Sequence, residues 1–209
     1  MTSVPEGERL GVFGGSFDPI HLGHLILAEV AREHLQLSKV LFVPAAISPL
    51  KLDKAPRADA KQRFAMIELA IGGNRFFAAD DRELSRSGPS FTVETLRELQ
   101  AENPDKKLVF LMGADSLASF EKWKSPNEIC QLATLAVLSR GGQELPAPGT
   151  LAPFLPQPEN AASHIHPMPQ LEISSSDIRE RIANHQSTRY QLHPAVEAYV
   201  HANKLYQVT

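Results

Sequence analysis

His21 and His24 stand three residues apart, after the turn Gly14-Gly15-Ser16-Phe17-Asp18-Pro19 and before an amphipathic stretch that begins at Leu25. The apolar run Leu10-Gly11-Val12-Phe13 precedes the turn, so the order reads as strand, glycine-rich turn, helix. Residues i and i+3 share one face of a helix, which lets both imidazoles point at a single object. The start of the helix adds unpaired backbone N–H groups and the positive end of its dipole. Glycines let the main chain approach an anion with no Cβ in the way. The simplest ligand that satisfies all of these is a polyphosphate. A Gly-Gly pair alone would be only a turn, and a lone helical histidine only a surface residue.

A second such place follows at Ile173-Ser174-Ser175-Ser176-Asp177-Ile178-Arg179. Ser174 with Asp177 three residues on reads as a helix cap. The cap does not account for Ser176 and Arg179, which place a hydroxyl and a guanidinium on one face of another helix start. Arginine grips phosphate oxygens with several donors at once.

The first stretch resembles the (T/S)-x-x-H-x-G-H signature of the nucleotidyltransferase superfamily, its spacing slightly expanded over Ser16 to His24. The second resembles the superfamily's I-S-S-T-x-I-R motif, with Ser176 in place of threonine and the hydroxyl kept. The segments between them resemble bacterial nicotinate mononucleotide adenylyltransferases. Asp81 to Thr92 is similar to their D-x-E-x-x-R-x-G-x-S-Y-T stretch, with Phe91 for tyrosine. Gly113-Ala114-Asp115-Ser116-Leu117 with Phe120 and Trp123 is similar to G-x-D-x-L-x-x-F-x-x-W, and Ser139-Arg140-Gly141-Gly142 to an R-x-G segment. The likeness runs from about Leu10 to Arg181. It departs at Ser48-Pro49-Leu50-Lys51, where the family has Pro-Pro-His-Lys; Leu50 removes any phosphate contact of that histidine, and Lys51 remains as a point charge.

The resemblance implies transfer of AMP from ATP to nicotinate mononucleotide, giving deamido-NAD and pyrophosphate. It makes His21, His24, Ser176 and Arg179 the catalytic set. Gly14, Gly15, Ser16, Phe17, Gly113, Asp115, Ser174 and Ser175 are the expected ATP contacts, Asp115 toward ribose hydroxyls or else as a helix N-cap. Lys51, Ser90, Phe91, Thr92, Trp123 and Arg140 are the expected acceptor contacts. Among these, the helix start at Ser90 to Thr92 would offer N–H groups to the nicotinate carboxylate, and Trp123 would stack on the pyridine ring. Mg²⁺ would ride on the ATP phosphates and keep several waters, with no protein metal ligands. Asp18 is either an outer-shell partner of that ion or a turn former. Arg82, Glu83 and Arg86 read as solvated charges. Rival readings are the same transfer to nicotinamide mononucleotide or pantetheine phosphate, and a non-catalytic nucleotide sensor.

The elements that must hold these residues are legible as short apolar runs alternating with helical stretches. Strands are expected at Leu10 to Phe13, Val40 to Val43, Phe76 to Ala79, Leu108 to Met112 and Leu135 to Leu138, with a weaker sixth near His164 to His166. Helices are expected at Leu22 to Gln36, Ala58 to Ile71, Thr92 to Glu102, Asn127 to Leu132, Ser174 to Asn184 and Pro194 to Asn203. Continuous apolar strands separated by helices predict an α/β fold, a doubly wound parallel sheet of Rossmann-like nucleotidyltransferase type. One domain is expected over residues 1–209: a core at about 9–140, an irregular proline-rich connection at 141–170 with one short helix near Leu151 to Leu155, and a helical part at 171–209. The formal net charge of −3 argues against nucleic-acid or membrane partners, and the lone Cys130 suits a reducing cytoplasm. The start of the chain lacks the apolar centre of a signal peptide, and a homo-oligomer is left open.

Overall fold

Among the described residues six strands assemble into one sheet in the order β3-β2-β1-β4-β5-β6, and every neighbouring pair is parallel. The computed structural model describes residues 8–47, 56–139, 147–167, 169 and 171–207. Its strands are β1 (Arg9–Gly15), β2 (Lys39–Pro44), β3 (Phe77–Ala79), β4 (Lys107–Gly113), β5 (Ala133–Ser139) and β6 (Ile165–Pro167). The helices are α1 (Leu22–His34), α2 (Ala60–Ile71), α3 (Thr92–Glu102), α4 (Ala114–Leu117), α5 (Pro126–Leu132), α6 (Pro148–Leu151), α7 (Ser175–Ala183) and α8 (Pro194–Ala202). The doubly wound expectation holds, in a single α/β domain.

Helices cover both faces, so the strands carry apolar side chains in both directions. Phe13, Val40, Phe42, Val109, Leu111 and Leu138 point into the core shared with α1, α2, α7 and α8. Their neighbours Val12, Val43, Leu108, Phe110, Met112 and Val137 point into a second core with α3, α5 and α6. The strand order reverses between β1 and β4, and a crevice opens at the carboxyl ends of such strands.

Two expectations needed adjustment. The described part of the proline-rich stretch is mostly structured: α6 runs into 3-10 turns at Ala152–Phe154 and Pro158–His164, and Leu151, Leu155 and Ala161 are buried in the second core. Three helices also stop one or two residues early. Gln36, His185 and Lys204 take left-handed conformations, with φ of 54°, 56° and 51°. At each the following N–H returns to the carbonyl two residues before the last helical residue: Leu37 to Arg32, Gln186 to Arg181 and Leu205 to Val200. These are Schellman closures in which the usual glycine is missing.

Candidate active site

β1 ends at Gly15, and the chain enters α1 through Phe17, whose φ is 47°. The Phe17 ring folds back over Gly15, where a Cβ would lie 3.0 Å from it. It packs against Phe13 and Phe42 at 5.6 and 5.8 Å and edge-on to His24 at 5.1 Å. With its ring inside the core, Phe17 can meet a nucleotide only through its backbone.

His21 is the N-cap of α1 and His24 sits three positions on. Their rings stack with centroids 3.7 Å apart and planes inclined by 30°. Glycine at 23 makes this stack fit, because a Cβ there would stand 3.0 Å from His21 Nδ1. The His21 backbone N–H donates to His24 Nδ1 at 3.2 Å, which places the proton of the neutral His24 ring on Nε2. His21 is buried and His24 is half-buried, so His24 is the more open of the two.

α7 begins against the same turn. The Arg179 Nη1 group donates to the Asp18 carbonyl at 2.6 Å and lies 3.6 Å from the Asp18 carboxylate. Its Nη2 donates to Ser176 Oγ at 3.1 Å, as the i, i+3 spacing predicted. Ser175 Oγ donates to the Pro19 carbonyl at 2.9 Å, and Ser174 caps the helix by accepting from the Asp177 N–H at 3.0 Å. The hydroxyls of Ser174 and Ser175 are therefore engaged with protein partners.

Asp18 stands in the turn, as one of its two readings had it, and its side chain is engaged with protein donors rather than open to an ion. Its buried carboxylate accepts from the Arg57 and Ala58 N–H groups at 2.9 and 3.0 Å and from Tyr206 Oη at 2.8 Å. The same turn is braced by Arg63, only 2% exposed, whose Nη1 donates to the carbonyls of Ser16 and Ala45 at 2.8 and 2.7 Å. Desolvation lowers the Arg63 pKa, opposed by the charge of Asp18. Arg63 escaped notice in the sequence, although it falls in line with Met66, Ile67, Ala70 and Ile71 on the buried face of α2.

Beside the turn lies a cleft of about 530 Å³ at the β1–β4 switch point, lined by Gly14, Gly15, Ser16, Ser90, Phe91, Thr92, Asp115 and Trp123 among others. α3 begins there with Phe91 as N-cap and no side-chain cap. Ser90 Oγ instead accepts from the Ala46 N–H at 2.9 Å. Asp115 lies in the first turn of α4, whose N-cap is Gly113, and it is exposed to the cleft. Trp123 stands against Phe120 and Phe110 at 5.4 and 6.0 Å.

The charges at 82, 83 and 86 require correction. Glu83 is 7% exposed, lines the cleft and accepts from Thr95 Oγ1 at 2.5 Å. Desolvation raises its pKa, against the hydrogen bonds from Thr95 and Ser90 and the charge of Arg86. Arg86 donates to Thr95 Oγ1 at 2.9 Å and pairs with Glu98. Arg82 pairs with Asp80 and Glu102 at 2.8 and 2.9 Å. Asp80 is a neighbour in sequence, but Thr95, Glu98 and Glu102 come from α3, so local sequence could not reveal them. Lys51, Leu50 and Arg140 lie outside the described residues.

Known proteins resemble this chain in sequence and in fold. Residues 12–181 match the family model described as cytidylyltransferase-like. A probable nicotinate-nucleotide adenylyltransferase of Thermomicrobium roseum is 44% identical over 200 residues, covering 96% of this chain and 92% of its own. A counterpart in Thermus thermophilus is 40% identical over 200 residues, covering 95% and 100%. Among solved structures, the nicotinic acid mononucleotide adenylyltransferase of Plasmodium falciparum complexed with NaAD superposes with a TM-score of 0.75. It covers 95% of this chain and 97% of its own at 19% identity, a likeness of fold.

Proposed function

The chain belongs to the cytidylyltransferase-like family and, within it, to the nicotinate-nucleotide adenylyltransferases, and from that membership we propose that it transfers AMP from ATP to nicotinate mononucleotide. The observation that carries this reading is the meeting of two helix starts. The α7 residues Ser175 and Arg179 are bonded to the Asp18–Pro19 turn that leads directly into His21 and His24. One triphosphate laid across that turn would meet the imidazoles on one side and the Ser176–Arg179 pair on the other.

A phosphate oxygen of the acceptor attacks the α-phosphorus of ATP in line. The new P–O bond forms as the bond from the α-phosphorus to the bridging oxygen breaks, and pyrophosphate departs with that electron pair. A phosphomonoester with a second pKa near ~6 is already ionised at neutral pH, so the protein supplies alignment and charge rather than a base. His24 Nε2–H, with His21 stacked behind it, stabilises charge on the triphosphate. Ser176 and Arg179 hold the β- and γ-phosphates. Gly14, Gly15 and Ser16 present backbone to ATP, and Asp115 and Gly113 face the ribose.

The acceptor base enters the cleft, where the uncapped α3 start at Phe91 and Thr92 meets the nicotinate carboxylate and Trp123 meets the ring. Ser90 supports that start through Ala46. Lys51 and Arg140 complete the acceptor set by resemblance. Among the described residues no cluster of three His, Cys, Asp or Glu side chains could grip a cation. A Mg²⁺ held by the phosphate oxygens of ATP would neutralise part of their charge. Among the described residues no helix is long and apolar enough to cross a membrane, and a cytoplasmic enzyme is proposed.

Pyrophosphate release from ATP tests the reading across three acceptors. Nicotinate mononucleotide should be preferred over nicotinamide mononucleotide by on the order of 10–100-fold in kcat/KM, the worth of one charge-assisted hydrogen bond. Equal values would remove the carboxylate-reading role of α3. Release with pantetheine phosphate alone would overturn the substrate.

A further inference from the structure

Tyr206 lies just beyond α8, far from the sequence motifs, yet its hydroxyl donates to Asp18 Oδ1 at 2.8 Å. Both groups are buried, at 7% and 4% exposure. Burial and the adjacent Asp18 charge push the phenol well above its usual pKa, so it remains a donor. The Asp18 peptide unit is at the same time the anchor of Arg179, through its carbonyl at 2.6 Å and its carboxylate at 3.6 Å.

We propose that Tyr206 is a positioning residue for the transfer reaction: through Asp18 it fixes the peptide unit that the Arg179 guanidinium grips, and so the angle at which that guanidinium meets the triphosphate. The proposal rests on the function argued above. The tyrosine is itself held by the closure of α8, in which the left-handed Lys204 returns the Leu205 N–H to the Val200 carbonyl at 3.0 Å. Tyr206 follows at φ 65°, and its ring turns back into the core. α8 is in turn seated on the core by Val196 and Val200. A chain of contacts thus runs from α8 to the grip on the leaving group, and none of its members except Arg179 need touch substrate.

A residue that only clamped α8 to the core would affect melting and leave turnover alone. Tyr206→Phe keeps the ring, and Asp18 keeps its bonds from the Arg57 and Ala58 N–H groups. The variant should therefore fold, as calorimetry will verify, while kcat for pyrophosphate release falls about five- to tenfold, as for one lost hydrogen bond. KM for nicotinate mononucleotide should not change. In an Arg179→Lys background the same substitution should have no further effect, because the group it positions is already altered. Wild-type kcat in Tyr206→Phe, or losses that multiply in the double variant, would overturn the proposal while the function stands. A wild-type protein that releases no pyrophosphate with any acceptor would overturn the function, and this proposal with it.

Discussion

Replacing Gly23 with alanine separates the geometry of the two histidines from the stability of the helix that carries them. Gly23 occupies the first turn of α1, and alanine there should favour the helix by up to about 1 kcal/mol. The added Cβ would stand 3.0 Å from His21 Nδ1 and 3.1 Å from Cε1, against an ordinary limit of 3.4 Å. The imidazole must give by about 0.4 Å, and its partner in the 3.7 Å stack must follow or part from it. If a 1 Å misplacement costs about 10² in rate, a shift of that size costs about five- to tenfold in kcat. The contact with Ile173 Cβ at 3.6 Å is ordinary, so nothing else in the fold is strained. Steady-state pyrophosphate release at saturating ATP and nicotinate mononucleotide gives kcat, and calorimetry gives the melting temperature. The expected result is slower turnover in a protein that melts no lower, and up to about 2–4 °C higher, than wild type. Unchanged kcat in the folded variant would refute the argument that the His21–His24 stack must be held in register.

Removing the second imidazole outright, His24→Ala, should lower kcat by on the order of 10²–10³ with the fold kept; near-full turnover would take His24 out of the mechanism. Gln36→Gly should relieve a left-handed strain at the end of α1 and stabilise by about 0.5–1 kcal/mol in urea unfolding, since the strain relieved exceeds the chain entropy added. Glu83 has a raised folded pKa, so the stability it contributes is full below its ordinary value of 4.5 and declines as pH rises from there toward the folded value. Glu83→Gln should therefore gain stability relative to wild type as pH rises through the window that opens at about pH 4.5. A difference that stays constant across that window would show that burial does not penalise the charge.

The elements and the two phosphate motifs were readable because their signals are local. Thr92–Glu102 follows the sequence expectation residue for residue, since apolar spacing within one helix defines it. The strands appear as continuous apolar runs, because a parallel sheet is covered on both faces. His21, His24, Ser176 and Arg179 were visible because each pair lies within one helical turn. The buried polar framework was not readable. Glu83 looked like one of several surface charges until α3 supplied Thr95, and Arg63 was hidden within an ordinary helix until β1 and β2 brought it their carbonyls.

From the order of residues alone came the fold class, the place of each helix start and the chemistry of phosphate binding, all properties of neighbours a few positions apart. Only the packed chain decided that Asp18, besides standing in a turn, is an anchor, because its partners at 57, 58, 179 and 206 are distant in sequence. A buried carboxylate needs donors from wherever the fold can bring them, and no local pattern records which segments those will be.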